Sequence, residues 1–430
     1  MILKNWQFLR LWGNQVLLQV AFNMCNYTAL LIIANRTHSP FAQAQLYAAL
    51  TLPAAIFGLV AGGVVDMVDR KRLMLITDLL MAGLFFLYIF VNSYILPILI
   101  LGFLTSSVLR FFIPAEAAAI PLIVSKDSLE HANAFFLFTL LGSTLLGFTI
   151  AGPLVQLFGG LNTRGEDMPF VIGSIMLLIG FFLVLGLKQI VVAKPKVKDG
   201  TIIGKIFLLF FEMLREVKAN KRVSFPIMLL VFVELILGIL SITFLEYVYN
   251  FLQLPLTSVS YVIIAPVIFG LVMGMVFLGR VKKNYGERKS IIMSVMATGA
   301  LLFAFGLLPW VFGRSVDVLY ILRTFSICAA FVLGILIVFI SVQARTILQT
   351  SAKAEMHGRI FSFLDVMIAF VTPIPVLFIG LIADRISLPG TFIFIGLVII
   401  AATAIGSKMF LGKATEISFQ EAPDKHKIAK

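Results

Sequence analysis

The sequence predicts an all-α membrane protein: twelve transmembrane helices arranged as two pseudo-symmetric six-helix bundles. Three observations lead there. The 430 residues are 60% hydrophobic and only 13% charged, about half the charged share of an ordinary soluble domain, and the mean hydropathy is +1.05. The apolar residues fall into runs of about the 20 residues that a bilayer-crossing helix needs. Lys and Arg collect in alternate gaps between those runs, the pattern of a topology signal.

Taken in order, the runs place spans near 11–34, 41–64, 73–92, 95–121, 133–158, 169–187, 223–248, 257–279, 290–312, 316–341, 359–383 and 390–411. Asn14, Gln15 and Gln19 interrupt the first run, so it reads as a retained span rather than a signal peptide. All but five of the 34 Lys and Arg lie in the gaps after even-numbered spans, at the end of span 4 or in the tails. The five are Arg36, Arg164, Arg314, Arg323 and Arg385. Both termini are therefore expected in the cytoplasm, in a multi-pass membrane protein. The net charge of +13 does not point to nucleic acid, because the basic residues cluster on no soluble face.

The longest gap divides the chain into a bundle at 1–187, a central cytoplasmic loop at 188–222, a second bundle at 223–411 and a tail at 412–430. Within the loop, Ile202, Ile203, Ile206, Phe210, Met213 and Val217 recur at helical spacing opposite Lys205, Glu212, Arg215 and Glu216. That pattern predicts an amphipathic helix along the membrane surface. The stretch 112–126, FIPAEAAAIPLIVSK, matches 339–353, FISVQARTILQTSAK, at five positions with a constant offset. With the 6+6 layout, this supports a parallel internal repeat.

Charges concentrate at 62–73, GGVVDMVDRKRL, between spans 2 and 3. Gly62 and Gly63 permit close helix approach, Asp66 suits a helix N-terminus, and Arg70 and Lys71 can pair with acids or phosphates. The segment, with the 6+6 layout, resembles the signature loop of the major facilitator superfamily, which reads roughly G-x-x-x-D-[RK]-x-G-[RK]-[RK]. Gly62, Asp66, Arg70 and Lys71 fall on its positions, whereas Met67 and Asp69 depart from it. The stretches RFFIPAEAAAIPLIVSKDSLEHANA at 110–134 and GFTIAGPLVQLFGG at 147–160 are similar to the branch of bacterial macrolide-efflux and enterobactin-export proteins. Gly152 and Pro153 sit there like that branch's glycine–proline element. GRVKKNYGERK at 279–289 looks like a worn second copy of the loop. The resemblance implies that the 62–72 loop gates the cytoplasmic side, and it implies a bacterial cytoplasmic membrane as the location. Asp78 and Asp365, near the cytoplasmic ends of spans 3 and 11, read as part of the latch or as interhelix pairing, with proton carriage as the alternative. A plain topogenic charge cluster is the alternative.

Charges and amides inside spans are costly and mark pathways. Arg110 on span 4 reads as a cavity charge or as the partner of a neighbour such as Glu116. Glu234 on span 7 shares a face with Gly238 and Ser241, and reads as a proton-coupling carboxylate or a static interhelical contact. Gln15, Gln19, Asn23 and Asn26 form one stripe on span 1, either a wall of a water-filled cavity or helix–helix hydrogen bonds. The resemblance implies that spans 1, 4, 7 and 10 line the cavity, which adds Ser241 and Arg323 to the set. Glu246 reads as a solvated helix end.

No metal-ligand spacing, Walker loop or hydrolase motif appears, and Cys25 and Cys328 suggest no disulfide framework. No enzyme activity and no cofactor is expected. The expectation is a secondary active transporter working by alternating access and exporting a small amphipathic compound against protons, with Arg110 and Glu234 as its central charged pair or switch, acting as a monomer in the lipid bilayer. An importer or lipid translocator on the same fold, and a scaffold that no longer transports, are the alternatives.

Overall fold

The computed structural model describes residues 4–92, 94–125, 128–188, 214–215, 217, 219–312, 316–351 and 357–413. They form helices joined by short turns, with no strand among them. The first six are α1 (Trp6–Thr37), α2 (Pro40–Met67), α3 (Arg70–Val91), α4 (Ile95–Ile123), α5 (Leu129–Leu157) and α6 (Met168–Leu185). Then come α7 (Lys221–Asn250), α8 (Ala265–Tyr285), α9 (Glu287–Phe312), α10 (Val316–Ser351), α11 (His357–Val371), α12 (Pro373–Arg385) and α13 (Leu388–Lys413). Ten stretches among the described residues are long and apolar enough to cross a membrane. The amphipathic helix expected at 202–217 lies almost wholly outside the described residues.

Local chemistry fixes the helix starts. Asn5, Ser39, Asp69 and Asn220 each cap a helix by accepting a backbone N–H with the side chain, satisfying donors that a helix otherwise leaves unpaired. Asp69, which departs from the signature loop, is thus the cap that starts α3, its Oδ1 accepting from Arg72 N at 2.9 Å.

Three elements differ from the reading of apolar runs. Expected span 10 ends at 341, yet α10 continues to Ser351 as a 36-residue helix; its last turns are polar, so the run stops before the helix does. Span 11 is broken between α11 and α12 at Thr372–Pro373, because a proline removes a helical N–H and clashes with the preceding turn. Span 8 begins not as an α-helix but as a 3₁₀ turn, Leu256–Ser258, followed by a π turn, Ser260–Ile264.

In the first half α1 packs against α5 and α6, α2 against α4, and α3 against α4 and α6; in the second, α10 packs against α7 and α8, and α9 against α13. Between the halves, α2 lies along α11 and α12, and α5 meets the irregular start of span 8. The turns at 38–39, 158–163, 251–255 and 386–387 share one end of the bundle, called the first end. The turns at 68–69, 124–125 and 286 share the opposite, second end.

Candidate functional site

The halves are joined tightly at the first end. Gly152 on α5 lets the 3₁₀ turn approach so closely that a Cβ there would stand 2.3 Å from the Thr257 carbonyl oxygen. Ser260, on the π turn, accepts from Gly152 N at 3.3 Å and donates to the Phe148 carbonyl at 3.1 Å. Pro153 follows in α5 and frees one carbonyl of the preceding turn. The glycine–proline pair therefore builds the α5–span 8 contact.

On the other side of the molecule α2 meets α12 and α7. Gly380 faces the Pro40 carbonyl, and Ser39 Oγ donates to Asp384 Oδ2 at 2.5 Å. Glu246 is buried and held by Gln43 Nε2 at 3.2 Å, Asn250 Nδ2 at 3.1 Å and His38 Nδ1 at 3.6 Å, and His38 stacks on Tyr249. The expectation of a solvated end for Glu246 is therefore corrected: α2 of the other half covers it. One step deeper, the Tyr47 hydroxyl donates to Thr372 Oγ1 at 3.3 Å and fills the space that a side chain at Gly238 would need. Clefts of ≈ 700 and ≈ 510 Å³ lie outside this seal, at the first end.

Beneath the Tyr47 plug lies a group of four charges of mixed sign. Arg110 (α4) lies within electrostatic range of Asp365 (α11); Asp365 is likewise within range of Arg345 (α10) and Glu234 (α7), Arg345 of Glu234, and Glu234 of Tyr47. No two of the four reach ion-pair distance, 4.0 Å, and Arg110 Nε is buried without a hydrogen-bond partner. Arg110 and Glu234 each lie about 20 Å along their helices from the second end, at 1.5 Å per residue. Asp365 and Arg345 lie nearer that end and are exposed. Two guanidinium and two carboxylate groups from four helices, one of the first half and three of the second, thus share one field without locking into fixed pairs.

This arrangement corrects the expected Arg110–Glu234 pair. Arg110's acid is Asp365, and Glu234's base is Arg345. Asp365, read from its sequence position as part of a cytoplasmic latch or of an interhelix pairing, takes the second role, in the central group. Arg345 was missed because its helix was taken to end at 341. The repeat could have found it, since 339–353 aligns with the Arg110-following stretch of span 4.

Other expected residues sit elsewhere. The α1 stripe is buried and engages α5 in part: Gln15 Nε2 donates to the Phe136 carbonyl at 3.2 Å, and Asn23 Nδ2 to the Gln19 carbonyl at 2.7 Å and Thr144 Oγ1 at 3.4 Å. Both amide atoms of Asn26 lack partners. Ser241 turns back onto the Gly238 carbonyl. Arg323 donates to the Leu252 and Gln253 carbonyls, so it clamps the end of α7 rather than lining the cavity. At the second end, Arg70 Nη1 donates to the Ala118 carbonyl at 2.7 Å, and Lys71 Nζ to the Leu185 and Leu187 carbonyls at 2.8 and 2.5 Å. Both cations meet the carbonyl ends of helices, where positive charge is favoured, and both stay within the first half. Asp78 is buried between helices, away from the loop. The side chains of Gly62 and Asp66 are outside the described residues.

The profile described as "Major Facilitator Superfamily" matches residues 11–374. Macrolide efflux protein A of Streptococcus pyogenes is 25% identical over 423 residues, covering 93% of this chain and 96% of its own. The multidrug efflux pump Tap of Mycolicibacterium fortuitum is 23% identical over 389 residues, covering 87% and 88%. Among solved structures, a bacterial homologue of the iron transporter ferroportin in an inward-facing state superposes with a TM-score of 0.70 at 13% identity, covering 96% of this chain and 99% of that one. The nucleoside transporter NupG superposes with a TM-score of 0.65 at 14% identity, covering 93% and 98%. These two likenesses concern the fold.

Proposed function

This chain belongs to the Major Facilitator Superfamily; from that premise we propose that it exports a small amphipathic organic compound in exchange for protons, by alternating access and as a single chain. It is a multi-pass membrane transporter and not an enzyme. Twelve spans with both termini cytoplasmic complete the proposed layout, making the first end extracellular and the second end cytoplasmic. The conformation is then inward-facing, closed outside by the Tyr47, Glu246 and Gly152 contacts.

The observation that carries the reading is the four-charge group shared by both halves directly beneath the seal. Charges held in a site without fixed partners respond to a proton or a ligand by changing partners, and one of the four, Arg110, sits on the opposite half from the other three. Glu234 carries the exchanged proton. When it is protonated, Arg345 turns to Asp365, and Arg110 is released to the cavity; when it is ionised, it competes for Arg345. Each choice alters the attraction between α4 of the first half and α11 of the second. Efflux relatives spanning nearly the full chain support the direction of transport.

The test is accumulation of a panel of lipophilic dyes and macrolides in an efflux-deficient bacterial host making the protein, with and without a protonophore. Lower accumulation that the protonophore reverses and Glu234→Gln abolishes is the expected result. Unchanged accumulation across the panel, with the protein verified in the membrane, would overturn broad drug export and leave a dedicated metabolite or lipid as substrate.

A further inference from the structure

Away from the central charges, the first half buries two carboxylates that the transport reading does not use. Asp78 on α3 and Glu116 on α4 are 0% and 4% exposed. Asp78 Oδ1 and Oδ2 and Glu116 Oε1 have no hydrogen-bond partner, and the two groups are close enough to act on each other electrostatically. Each lies about 10–12 Å along its helix from the second end, as does Asn14 on α1. Asn14 is itself fully buried, with both amide atoms unpartnered. It lies against Asp78 without reaching a hydrogen bond of ordinary geometry. Gly180 on α6 makes the room: a Cβ there would fall 2.2 Å from Asn14 Oδ1. Three helices thus bury a cluster of polar groups against a fourth, and those groups are not satisfied by one another.

The second half shows that packing alone does not require acids here. Gln343 occupies the position that the repeat aligns with Glu116. Its amide donates to Ser290 Oγ on α9 at 3.0 Å and to the Phe339 carbonyl at 2.7 Å. The corresponding helix pair is therefore bridged by neutral groups. Two ionised carboxylates in the first half would cost several kcal/mol each in so dry a place, and like charges sharing a site do not both ionise. A proton on one of the two removes that repulsion and leaves the Asn14 amide, which lies against Asp78, to donate to the remaining anion. Few other groups face the pair. α6 contributes Gly180, and Arg70 at the start of α3 donates to the Ala118 carbonyl with its Nε buried and unpartnered. On α2, the side chain of Asp66 lies outside the described residues.

We propose that Asp78 and Glu116, with Asn14, form a second protonation site that holds one exchangeable proton inside the first half. It is separate from the central four-charge group and does not depend on drug export being the protein's activity. The test is infrared difference spectroscopy of the full chain in lipid, following the carboxylic-acid carbonyl band and its shift on exchange into D₂O. The wild type is expected to show such a band at neutral pH. Glu234→Gln should keep it, and Asp78→Asn combined with Glu116→Gln should lose it. Glu116→Gln alone copies the residue used by the second half, so it should fold, and it should move the band because Asp78 then meets an amide. A band unchanged in both pair variants would overturn the proposal. So would thermal stabilisation of the wild type, but not of the double variant, by Na⁺ over K⁺ at equal ionic strength, which would make the site a cation site.

Discussion

The two ends of the bundle spend their polar groups differently. At the first end Ser39, Gln43, Tyr47, Gly152, Glu246, Ser260, Thr372 and Asp384 all reach across from one half to the other. At the second end Arg70 and Lys71 bind helix ends within their own half, and no hydrogen bond among the described residues joins the halves there. Contacts between halves determine which conformation is populated, whereas contacts within a half determine whether that half is stable. The same kinds of side chain therefore do different work at the two ends.

Breaking the close approach at the first end should have the largest effect. Gly152→Val drives a side chain into the Thr257 carbonyl, and overpacking of this kind typically costs about 1–3 kcal/mol. The closed first end should lose roughly ten-fold or more in population, at about 1.4 kcal/mol per factor of ten, and transport should fail. Cysteine labelling from the first end, with Cys25 and Cys328 replaced, reads the change. A variant that transports normally would remove the α5–span 8 contact from the account.

Glu246→Ala should come next. It leaves Gln43 Nε2 buried without its acceptor, a loss of about 1–3 kcal/mol, and should raise labelling several-fold while leaving the melting temperature of each half nearly unchanged. Tyr47→Phe removes one neutral hydrogen bond, worth about 0.5–1.5 kcal/mol, and keeps the ring under Gly238. A shift below ten-fold in the same labelling assay is expected. Lys71→Met sharpens the comparison from the other side. It should lower thermal stability by about 1 kcal/mol or less, as loss of a helix-end cation does, with no change in labelling at the first end. A labelling change as large as that of Glu246→Ala would contradict the division of roles.

The helices were legible because lipid demands long apolar runs, and the second-end loop because charges are scarce. What hid was partnership. Arg345 was lost because a polar helix end looks like a loop when only apolar length is read. Asp365 was assigned by its distance along its own span, which says nothing about Arg110 on a helix 255 positions earlier in the chain. Glu246 looked solvated because its cover, Gln43, comes from the other half. The α1 stripe is buried, but periodicity does not distinguish a cavity from a neighbouring helix, and Gln15 and Asn23 meet α5.

The measurement that bears most directly on the account is pulsed spin-label distance work on the full chain in lipid nanodiscs, with one label pair across the first end and one across the second. At neutral pH the first-end pair should be short and the second-end pair long. On acidification, or in Glu234→Gln, the two distances should change in opposite directions. Distances that stay fixed, or that lengthen together, would contradict alternating closure around the four central charges.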